Sequence, residues 1–489
     1  MGSTRNWALL GVATVALGAI TAGVILLNAD RGADTALGPP PTPVEVPTVA
    51  TPRPRPTPPP PPPTPRPRPT ATPTPTATTA VPQQVRILQD LSFGDDEPGL
   101  EASLDVFRAA NPDITVLTES VTDIRSAIQL GAAGGTLPDL VISANAAGVR
   151  EDITSGLTRP MALDRGELEA LLVPGALHLM TVDGQLHGLP LRVNVKSVVY
   201  YNRPIFAERG YAVPGTWEEM LQLTSDIAAD GTVAPWCIGI ESASATGWVA
   251  TDWVEDVVLR TVGTEGYDRW VAGELPFDSP QVRGAIEQAM VPIWTDEAAV
   301  HGGRAAIATT SFQDAGLGVL GGADAQCVLH RQAPFIELFI QDADPTAAAG
   351  VDFDAFLLPA IDPAAGTPVV GSQDTLVQYR DGEAVDAVVA WLATPEAARH
   401  WAGVGNFVSP HLSLHGGDYA DERDARSAAL LAQATVFRLD ASDLMPGSVG
   451  GTDGPGTFWT EMTRWISGEV ELATALQAID QRFSEALGR

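Results

Sequence analysis

The sequence predicts an α/β protein with two domains, preceded by an apolar segment and a proline-rich stretch. Short β-branched runs alternate with amphipathic stretches after Val85, which is typical of parallel strands with covering helices. The part of the 489-residue chain that begins near Val85 spans some 400 residues, which is long enough for two domains. The stretch before it, Pro39 to Pro82, is so rich in proline and threonine that it cannot bury a core.

Residues 1–29 predict a membrane anchor. Trp7 to Leu27 is apolar and uncharged, and its length matches the ~20 residues that a membrane-spanning helix needs. Arg5 before it and Asp30 beyond it favour an N-terminus inside the cell, with the remainder on the extracellular face of the plasma membrane. No cysteine follows closely, which excludes a lipid-anchored cysteine. A cleaved signal segment, with secretion of the protein, is the alternative.

Residues 30–84 predict a disordered Pro/Thr-rich linker. Such sequences adopt polyproline II at ~3.1 Å per residue, so Pro39–Pro82 would form a semi-rigid stalk of roughly 130 Å. We expect this stalk to be a plain spacer between the membrane and the globular part. Its composition also allows O-glycosylation.

The charge of the globular part limits its partners. The whole chain carries −31 and residues 1–84 carry +3, so the remainder carries −34. This charge argues against nucleic acid or anionic lipid as a partner of the globular part. Lys196 is the only lysine, and its surroundings lack the pattern of a phosphate-binding loop. The seven histidines are scattered without ligand spacing, so we expect no metal and no cofactor.

The beginning of the globular part predicts a parallel sheet. Strands and helices alternate in the order Val85–Ser92, Pro98–Ala110, Ile114–Leu117, Ile124–Ala133 and Pro138–Ile142. In an open α/β sheet, ligands bind beyond the carboxyl ends of the strands. We therefore expect Phe93 and Asn145 to lie near a binding site.

The stretch from His187 to Met220 contains the most informative motifs. Val193 to Tyr201 predicts a buried strand, with Arg192, Asn194 and Lys196 in or beside an otherwise apolar run. A short helix follows. Then P-G-T-W-E-E-M predicts a turn and a capped helix start.

These motifs resemble those of a known family. The order G-L-P, a strand ending Y-Y-N, a short F-x-x-x-G helix and P-x-T-W-E-E-M is similar to extracellular solute-binding proteins of ATP-driven sugar importers. Within them, it most resembles the α-glucoside-binding branch. The resemblance implies a carbohydrate ligand, ABC permease membrane subunits as partners, and no enzymatic activity.

The resemblance also implies a periplasmic-binding-protein-like fold of two α/β lobes joined by three hinge crossings. We expect the crossings near Arg192–Lys196, Pro368–Asp374 and Asn406–Pro410. The N-terminal lobe would then comprise residues 85–194 and 368–407. The C-terminal lobe would comprise residues 195–367 and 408–489, with the ligand in the cleft between the lobes.

A second group of motifs supports a sugar site. Aromatic faces pack on the C–H faces of sugars, and carboxylates, amides and guanidinium groups bind hydroxyls. The segment from Pro235 to Asp256 is rich in tryptophan and carboxylate residues and again resembles the α-glucoside branch. We expect Trp248 and Trp459 to stack on sugar rings, whereas Trp253 is either a platform or a core residue. The full set of predicted ligand-binding residues is Asn145, Arg192, Asn194, Lys196, Trp248, Asp252, Trp253, Arg331, Asp374 and Trp459. We expect the charged members to pair with one another when no ligand is bound.

Cys237 and Cys327 are the only cysteines, and an even count in an exported chain suggests a disulfide. The surrounding Q-C-V-L-H-R-Q segment resembles the branch in which a bridge joins these two segments. A metal-binding or nucleophilic cysteine is the alternative, but it lacks partners at useful spacing.

Two other functions were compared with solute import. A glycoside hydrolase needs two carboxylates ~5–9.5 Å apart, and Asp252 with Glu255 or Asp256 could supply them. Their helical spacing, however, is that of ordinary surface or capping residues. A membrane-tethered sugar sensor is also compatible with the sequence, although it would need another protein for signalling.

Overall fold

The computed structural model describes residues 83–90, 97–451 and 454–489. The predicted anchor at 1–29, almost all of the predicted linker at 30–84, and Phe93 lie outside these ranges. Within them, no helix combines the length and the apolar character needed to cross a membrane.

Twelve strands lie in the described ranges and form two large sheets and a small hairpin. The strands are β1 (Gln83–Asp90), β2 (Ile114–Ser120), β3 (Leu140–Ser143), β4 (Thr181–Val182), β5 (Gln185–Leu186), β6 (Gly188–Val195), β7 (Val198–Asn202), β8 (Ala234–Trp236), β9 (Cys327–Arg331), β10 (Phe353–Leu357), β11 (Pro368–Gln378) and β12 (Val436–Leu439). The first sheet has the order β12-β11-β3-β1-β2, with β6 also paired to β11. The second sheet has the order β10-β7-β9-β8, and β4 pairs with β5.

Helices cover both sheets. They are α1 (Glu97–Ala110), α2 (Ile124–Gly134), α3 (Ala146–Thr154), α4 (Arg165–Leu171), α5 (Arg203–Arg209), α6 (Trp217–Asp230), α7 (Trp248–Val271), α8 (Pro280–Ala289), α9 (Val291–Trp294), α10 (Arg304–Ile307), α11 (Phe312–Leu317), α12 (Ile336–Ala343), α13 (Glu383–Leu392), α14 (Pro395–Ala402), α15 (Glu422–Leu431), α16 (Ala441–Leu444), α17 (Gly447–Gly450), α18 (Thr457–Ile466) and α19 (Leu472–Ala486). Helix α6 begins at the predicted cap. The Thr216 hydroxyl accepts a hydrogen bond from the Glu219 amide at the start of α6.

The first sheet confirms the predicted strand–helix alternation. Strand β1 lies between β2 and β3 and is parallel to both. Every residue of β3 is buried, as expected for a strand covered by helices on both faces. Strand β11 is antiparallel to β3 and β6 but parallel to β12. The parallel strands β1 and β3 therefore end at the same edge of the sheet, which places Asp90 beside Ser143.

Each large sheet has its own hydrophobic core. The core around the first sheet includes Ile87 and Val141, whereas the core around the second is rich in tryptophan. Tyr200 and Ile336 come from the part of the chain that builds the second sheet but pack in the first core, so the two cores touch.

Within the described residues, the chain crosses between the two sheets three times. It leaves the first sheet at Val195 and joins the second at Val198. It returns between Leu357 and Pro368, and it leaves the first sheet again after Leu439.

The third crossing differs from the expected position at Asn406–Pro410. Phe407 and Val408 pack in the first core, and the Val193 amide donates to the Val408 carbonyl at 2.9 Å. Residues 408–439, which the sequence analysis assigned to the C-terminal lobe, lead through α15 into β12 of the first sheet. The third crossing comes later than expected because β12, a strand of four residues, pairs with β11 and so keeps this part of the chain in the first sheet.

Candidate functional site

The three crossings lie side by side, because β6 and β12 flank β11. The Lys196 amide, in the first crossing, donates to the Val370 carbonyl at 2.9 Å. The Asp440 amide, at the third crossing, donates to the Gly371 carbonyl at 2.9 Å. Helix α7 packs against this part of β11 and against α16, so one long helix of the second core contacts the region where all three crossings meet.

Charged side chains are buried at this junction, and we call them the buried ionic cluster. Its members are Lys196, Asp252, Glu255, Asp256, Arg260, Arg331 and Asp440, all buried. The Lys196 ammonium contacts Asp440 and lies 3.3 Å from Asp252 Oδ1. Arg331 donates from Nε to Asp256 Oδ2 at 3.1 Å and lies 3.6 Å from Asp252 Oδ2.

A second group of contacts fastens α7 to the crossings. The guanidinium of Arg260 donates to Asp256 Oδ1 at 2.5 Å and to the carbonyls of Leu358 and Pro368. The Ser197 hydroxyl donates to the same Asp256 oxygen and accepts from the Val370 amide. Burial lowers the pKa of Arg260, while Asp256 opposes that shift. This half of the cluster is structural, because each group already has protein partners.

The other half of the cluster has oxygens without donors. Asp252 Oδ2, Glu255 Oε2 and Asp440 Oδ1 are buried and accept no hydrogen bond from the described residues, whereas Asp440 Oδ2 contacts the Lys196 ammonium. Oxygens of these three carboxylates lie within 4.8 Å of one another. The cluster sets four carboxylates against three cations. Buried acceptors without donors are costly, so this part of the junction suits a ligand that donates hydrogen bonds.

Another polar group lies at the edge of the first sheet where β1 and β3 end. Arg192 Nε donates to Asp374 Oδ2 at 2.5 Å, and Arg192 Nη1 donates to the Asn406 carbonyl. Asp90 lies nearby and accepts from the Ser143 hydroxyl and the Ala144 amide, both at 3.3 Å.

Asp90 was not among the predicted site residues. Burial, together with the negative charge of Asp374, raises the pKa of Asp90 to about 7, although the bonds from Ser143 and Ala144 oppose the shift. Perturbed carboxyl groups in such positions are typical of functional sites. The only signal in the sequence was the position of Asp90 near the carboxyl end of a predicted strand.

Asn145 lies at the same edge but already has a structural role. Its side chain caps α3 by accepting from the Gly148 amide at 2.8 Å. Asn194, on β6, has a buried Nδ2 that donates to no acceptor among the described residues. The structure thus leaves Asn194 with a free donor, whereas the oxygen of Asn145 is occupied.

The start of α7, at Trp248, lies against the backbone of α18 at Trp459, an approach that their separation in sequence does not suggest. Gly247, at φ 112°, precedes Trp248, and a Cβ on it would lie 2.5 Å from the Trp459 carbonyl oxygen. Both indoles are about 7% exposed, and Trp459 Nε1 has no acceptor among the described residues. Trp248 packs edge-on against Phe312, with ring centroids 5.2 Å apart.

Trp253 lies in the second core, which is the core alternative that the sequence left open. It is 1% exposed, and its ring contacts three other indoles at near-perpendicular angles, those of Trp217, Trp236 and Trp294. Arg331 lies over its ring at 5.9 Å from the centroid. Trp253 therefore packs against the Arg331 guanidinium as part of the second core.

The predicted disulfide is present. Cys237 and Cys327 are bonded, with Cα atoms 5.5 Å apart, and no free cysteine remains. The bridge joins the end of β8 to the start of β9 and thus secures the strand that ends at Arg331.

The fold and the junction define the class of molecule: a two-sheet α/β binding protein whose buried charged groups gather where the chain crosses between sheets. A model of the bacterial extracellular solute-binding proteins matches residues 102–421, and the chain belongs to that family. Proteins of this family bind substrates and are not enzymes.

Individual relatives agree with this assignment. The osmoprotective compounds-binding protein GgtB of Synechocystis is 35% identical over 388 residues, covering 79% of this chain and 89% of GgtB. The alpha-glucosides-binding periplasmic protein AglE of Rhizobium meliloti is 39% identical over 288 residues, covering 58% of this chain and 60% of AglE. The solved structure of the bacterial solute receptor AcbH, at 18% identity, superposes with a TM-score of 0.69, covering 83% of this chain and 98% of AcbH. That likeness shows the shared fold.

Proposed function

We propose that this protein is the extracellular substrate-binding component of an ABC importer and that its solute is an α-linked glucoside oligosaccharide. The observation that carries this proposal is the junction itself, where buried carboxylate oxygens without hydrogen-bond donors lie about one turn of α7 from Trp248. The name of AglE, the relative at 39% identity, supports α-glucosides as the ligand class. After capture, the protein would deliver the sugar to the membrane subunits of the permease.

The chemistry of the junction fits a neutral sugar. The indoles of Trp248 and Trp459 would pack on the C–H faces of glucose rings. Asp252, Asp440 and Asp374 would accept hydrogen bonds from hydroxyls, and Arg192 would donate to ring or hydroxyl oxygens. Charge-assisted bonds of this kind are stronger than neutral ones. Asn145, Asn194, Lys196 and Arg331 complete the proposed site, with Lys196 and Arg331 fixing the carboxylates.

We further propose that the two sheets act as two lobes that close on the sugar. Residues 83–195 and 368–439 would form one lobe, and residues 198–357 and 441–489 the other. The three adjacent crossings would serve as the hinge, because a few residues between rigid elements can absorb the change in backbone angles.

The remaining expectations concern attachment to the cell. We propose that Trp7–Leu27 anchors the protein in the membrane and that the Pro/Thr-rich linker holds the binding part away from it. Carbonate extraction of membranes tests the anchor, because a spanning helix stays in the pellet. An N-terminal peptide beginning after residue 27 in the mature protein, with the protein in the soluble fraction, would instead show signal cleavage.

A thermal-shift panel on the full-length chain tests the ligand class. At a ligand concentration of 100 Kd, binding adds about 2.7 kcal/mol of stability, which corresponds to a rise in Tm of about 3 °C for some 400 residues. We expect α-linked di- and trisaccharides to raise the Tm and their β-linked isomers to have little effect. If no sugar in the panel raises the Tm, the assignment to α-glucosides is wrong.

The same incubations address the hydrolase alternative. Asp252 and Glu255 are near each other, but both lie in the buried cluster with contacts to Lys196, Arg331 and the Ser442 amide. We expect the bound sugar to be recovered intact. Release of glucose at an enzymatic rate, lost in the Asp252→Asn variant, would favour the hydrolase.

A further inference from the structure

Lys196 differs from all other basic residues of the chain in chemistry and in position. The chain contains 29 lysine and arginine residues, and Lys196 alone is a lysine. It lies between β6 and β7, in the first crossing, and is 4% exposed. A compact ammonium on a flexible stem can fit between two carboxylates that a planar guanidinium would separate.

The Lys196 ammonium connects three parts of the hinge region. It contacts Asp440, which directly follows β12 in the third crossing. It also lies 3.3 Å from Asp252 Oδ1, on α7 of the second core. The backbone amides of Lys196 and Asp440 both bond to β11, close to the second crossing. One side chain therefore joins the first and third crossings to the helix that packs against them.

Helix α7 carries both Asp252 and the aromatic residue Trp248. Trp248 lies four residues before Asp252 on the same helix, which is about one turn. The Asp252 carbonyl also accepts a hydrogen bond from Arg331 Nη2 at 3.0 Å. The position of Asp252 therefore fixes the first turn of α7, including the indole of Trp248, relative to the crossings.

We propose that Lys196 is a positioning residue that couples sugar binding to closure of the hinge. This inference rests on the proposed function, because it takes Trp248 and Asp252 to contact the sugar. When the two sheets rotate about the crossings, the separations between Lys196, Asp252 and Asp440 change. These contacts are already formed in the absence of ligand, and a sugar that holds α7 against the first sheet keeps them closed and the ammonium buried for a larger share of the time. Lys196 thus holds the site in its binding geometry without touching the sugar.

The single lysine permits a direct test on the unaltered full-length chain. Acetic anhydride acylates amines, so the products are confined to Lys196 and the N-terminal amine, and mass spectrometry of peptides separates them. We expect a saturating α-glucoside to slow acylation of Lys196 at least fivefold and to leave the rate at the N-terminal amine unchanged. Equal Lys196 rates with and without sugar, including no reaction in either state, would overturn the coupling.

A charge-neutral double variant provides the second measurement. Lys196→Met alone would leave Asp440 without its cation and Asp252 with Arg331 only, whereas Lys196→Met with Asp440→Asn removes one charge of each sign. Because Asp440 is itself a proposed sugar contact, the reference is Asp440→Asn alone. We expect the double variant to fold and to bind the sugar at least tenfold more weakly than Asp440→Asn by calorimetry. The matched control is Arg209→Met with Asp230→Asn, an ion pair outside the cluster that should leave the affinity unchanged.

The outcomes separate this inference from the function on which it rests. Binding of α-glucosides by the parent protein reports on the proposed function. The affinity of the double variant relative to Asp440→Asn alone reports on Lys196, because both variants lack the Asp440 carboxylate. If the parent binds and the double variant binds within twofold of Asp440→Asn, Lys196 does not position the site. If the double variant does not fold, the acylation rates of the parent decide the question.

Discussion

The disulfide between Cys237 and Cys327 gives a quantitative prediction for stability. The bond closes a loop with a sequence separation of 90 residues, and both cysteines are buried. Cutting the bond frees this long loop in the unfolded chain but changes few contacts in the folded one. The perturbation is reduction of the native protein, compared with the Cys237→Ala/Cys327→Ala double variant.

The magnitude follows from chain entropy. A loop of this length reduces the conformational entropy of the unfolded state by an amount worth about 4.6 kcal/mol at 25 °C. With an entropy of unfolding of about 2.1 cal/mol/K per residue, some 400 residues give about 0.85 kcal/mol/K. Loss of the bond should therefore lower the Tm by about 5 °C.

The assay is thermal unfolding of the full-length chain, followed by tryptophan fluorescence with and without dithiothreitol. The native protein should lose about 5 °C on reduction, as computed from the loop length. The double variant serves as the control, since it should melt near the reduced native protein and should not respond to the reductant. A reduced protein that melts within 1 °C of the oxidised one would refute the entropic argument, provided that thiol labelling confirms complete reduction.

Three further predictions concern the site. Trp459→Ala should weaken sugar binding about 10–100-fold, measured by calorimetry, because apolar contact is lost. Trp253→Ala should lower the Tm but leave the affinity of the folded protein unchanged. If instead Trp253→Ala weakened binding and Trp459→Ala only lowered the Tm, Trp253 would be the ligand contact and Trp459 the core residue. Because burial raises the pKa of Asp90 to about 7 in the folded state, its carboxyl group is ionised only in the unfolded state between pH 4 and pH 7. The free energy of unfolding should therefore fall by about 2–4 kcal/mol as the pH rises from 4 to 7. Urea unfolding at both pH values should show that Asp90→Asn removes this loss, and an equal loss in the variant would contradict the assignment. Gly451→Ala should lower the free energy of unfolding by about 1–3 kcal/mol, because φ is 113° and the new Cβ would lie 2.5 Å from the Trp459 ring. An unchanged Tm would show that the indole can move away.

The first three strands of the first sheet were predictable because each can be recognised from the residues in and beside it. The strands β1, β2 and β3 are short runs that alternate with amphipathic helical stretches, and this alternation predicts them. Strand β12 was not predicted, because four residues with alternating burial give a weak pattern. Its place in the sheet depends on pairing with β11, some seventy residues earlier in the chain. The position of the third crossing was therefore predicted incorrectly.

The candidate site shows the same limit. The expected pairing of charged residues is present, since Arg192 pairs with Asp374, and Asp252 with Lys196 and Arg331. Asp90 and Asp440 were missed, because each is one aspartate at the end of a strand and gains its role only when the sheet is assembled. Trp253 was ambiguous, because an indole on a helix has the same sequence spacing whether it faces ligand or core.

The late position of β12 has a consequence for the order in which the chain can fold. All four strands of the second sheet are available once residue 357 has emerged during synthesis or export. The first sheet, which begins at residue 83, lacks its edge strand until residue 439 has emerged. Contacts of such long range are slow to form. The C-terminal half of the sequence thus completes the N-terminal sheet, and a chain shortened before β12 would leave Pro368–Gly371 of β11 without their partner strand on that edge.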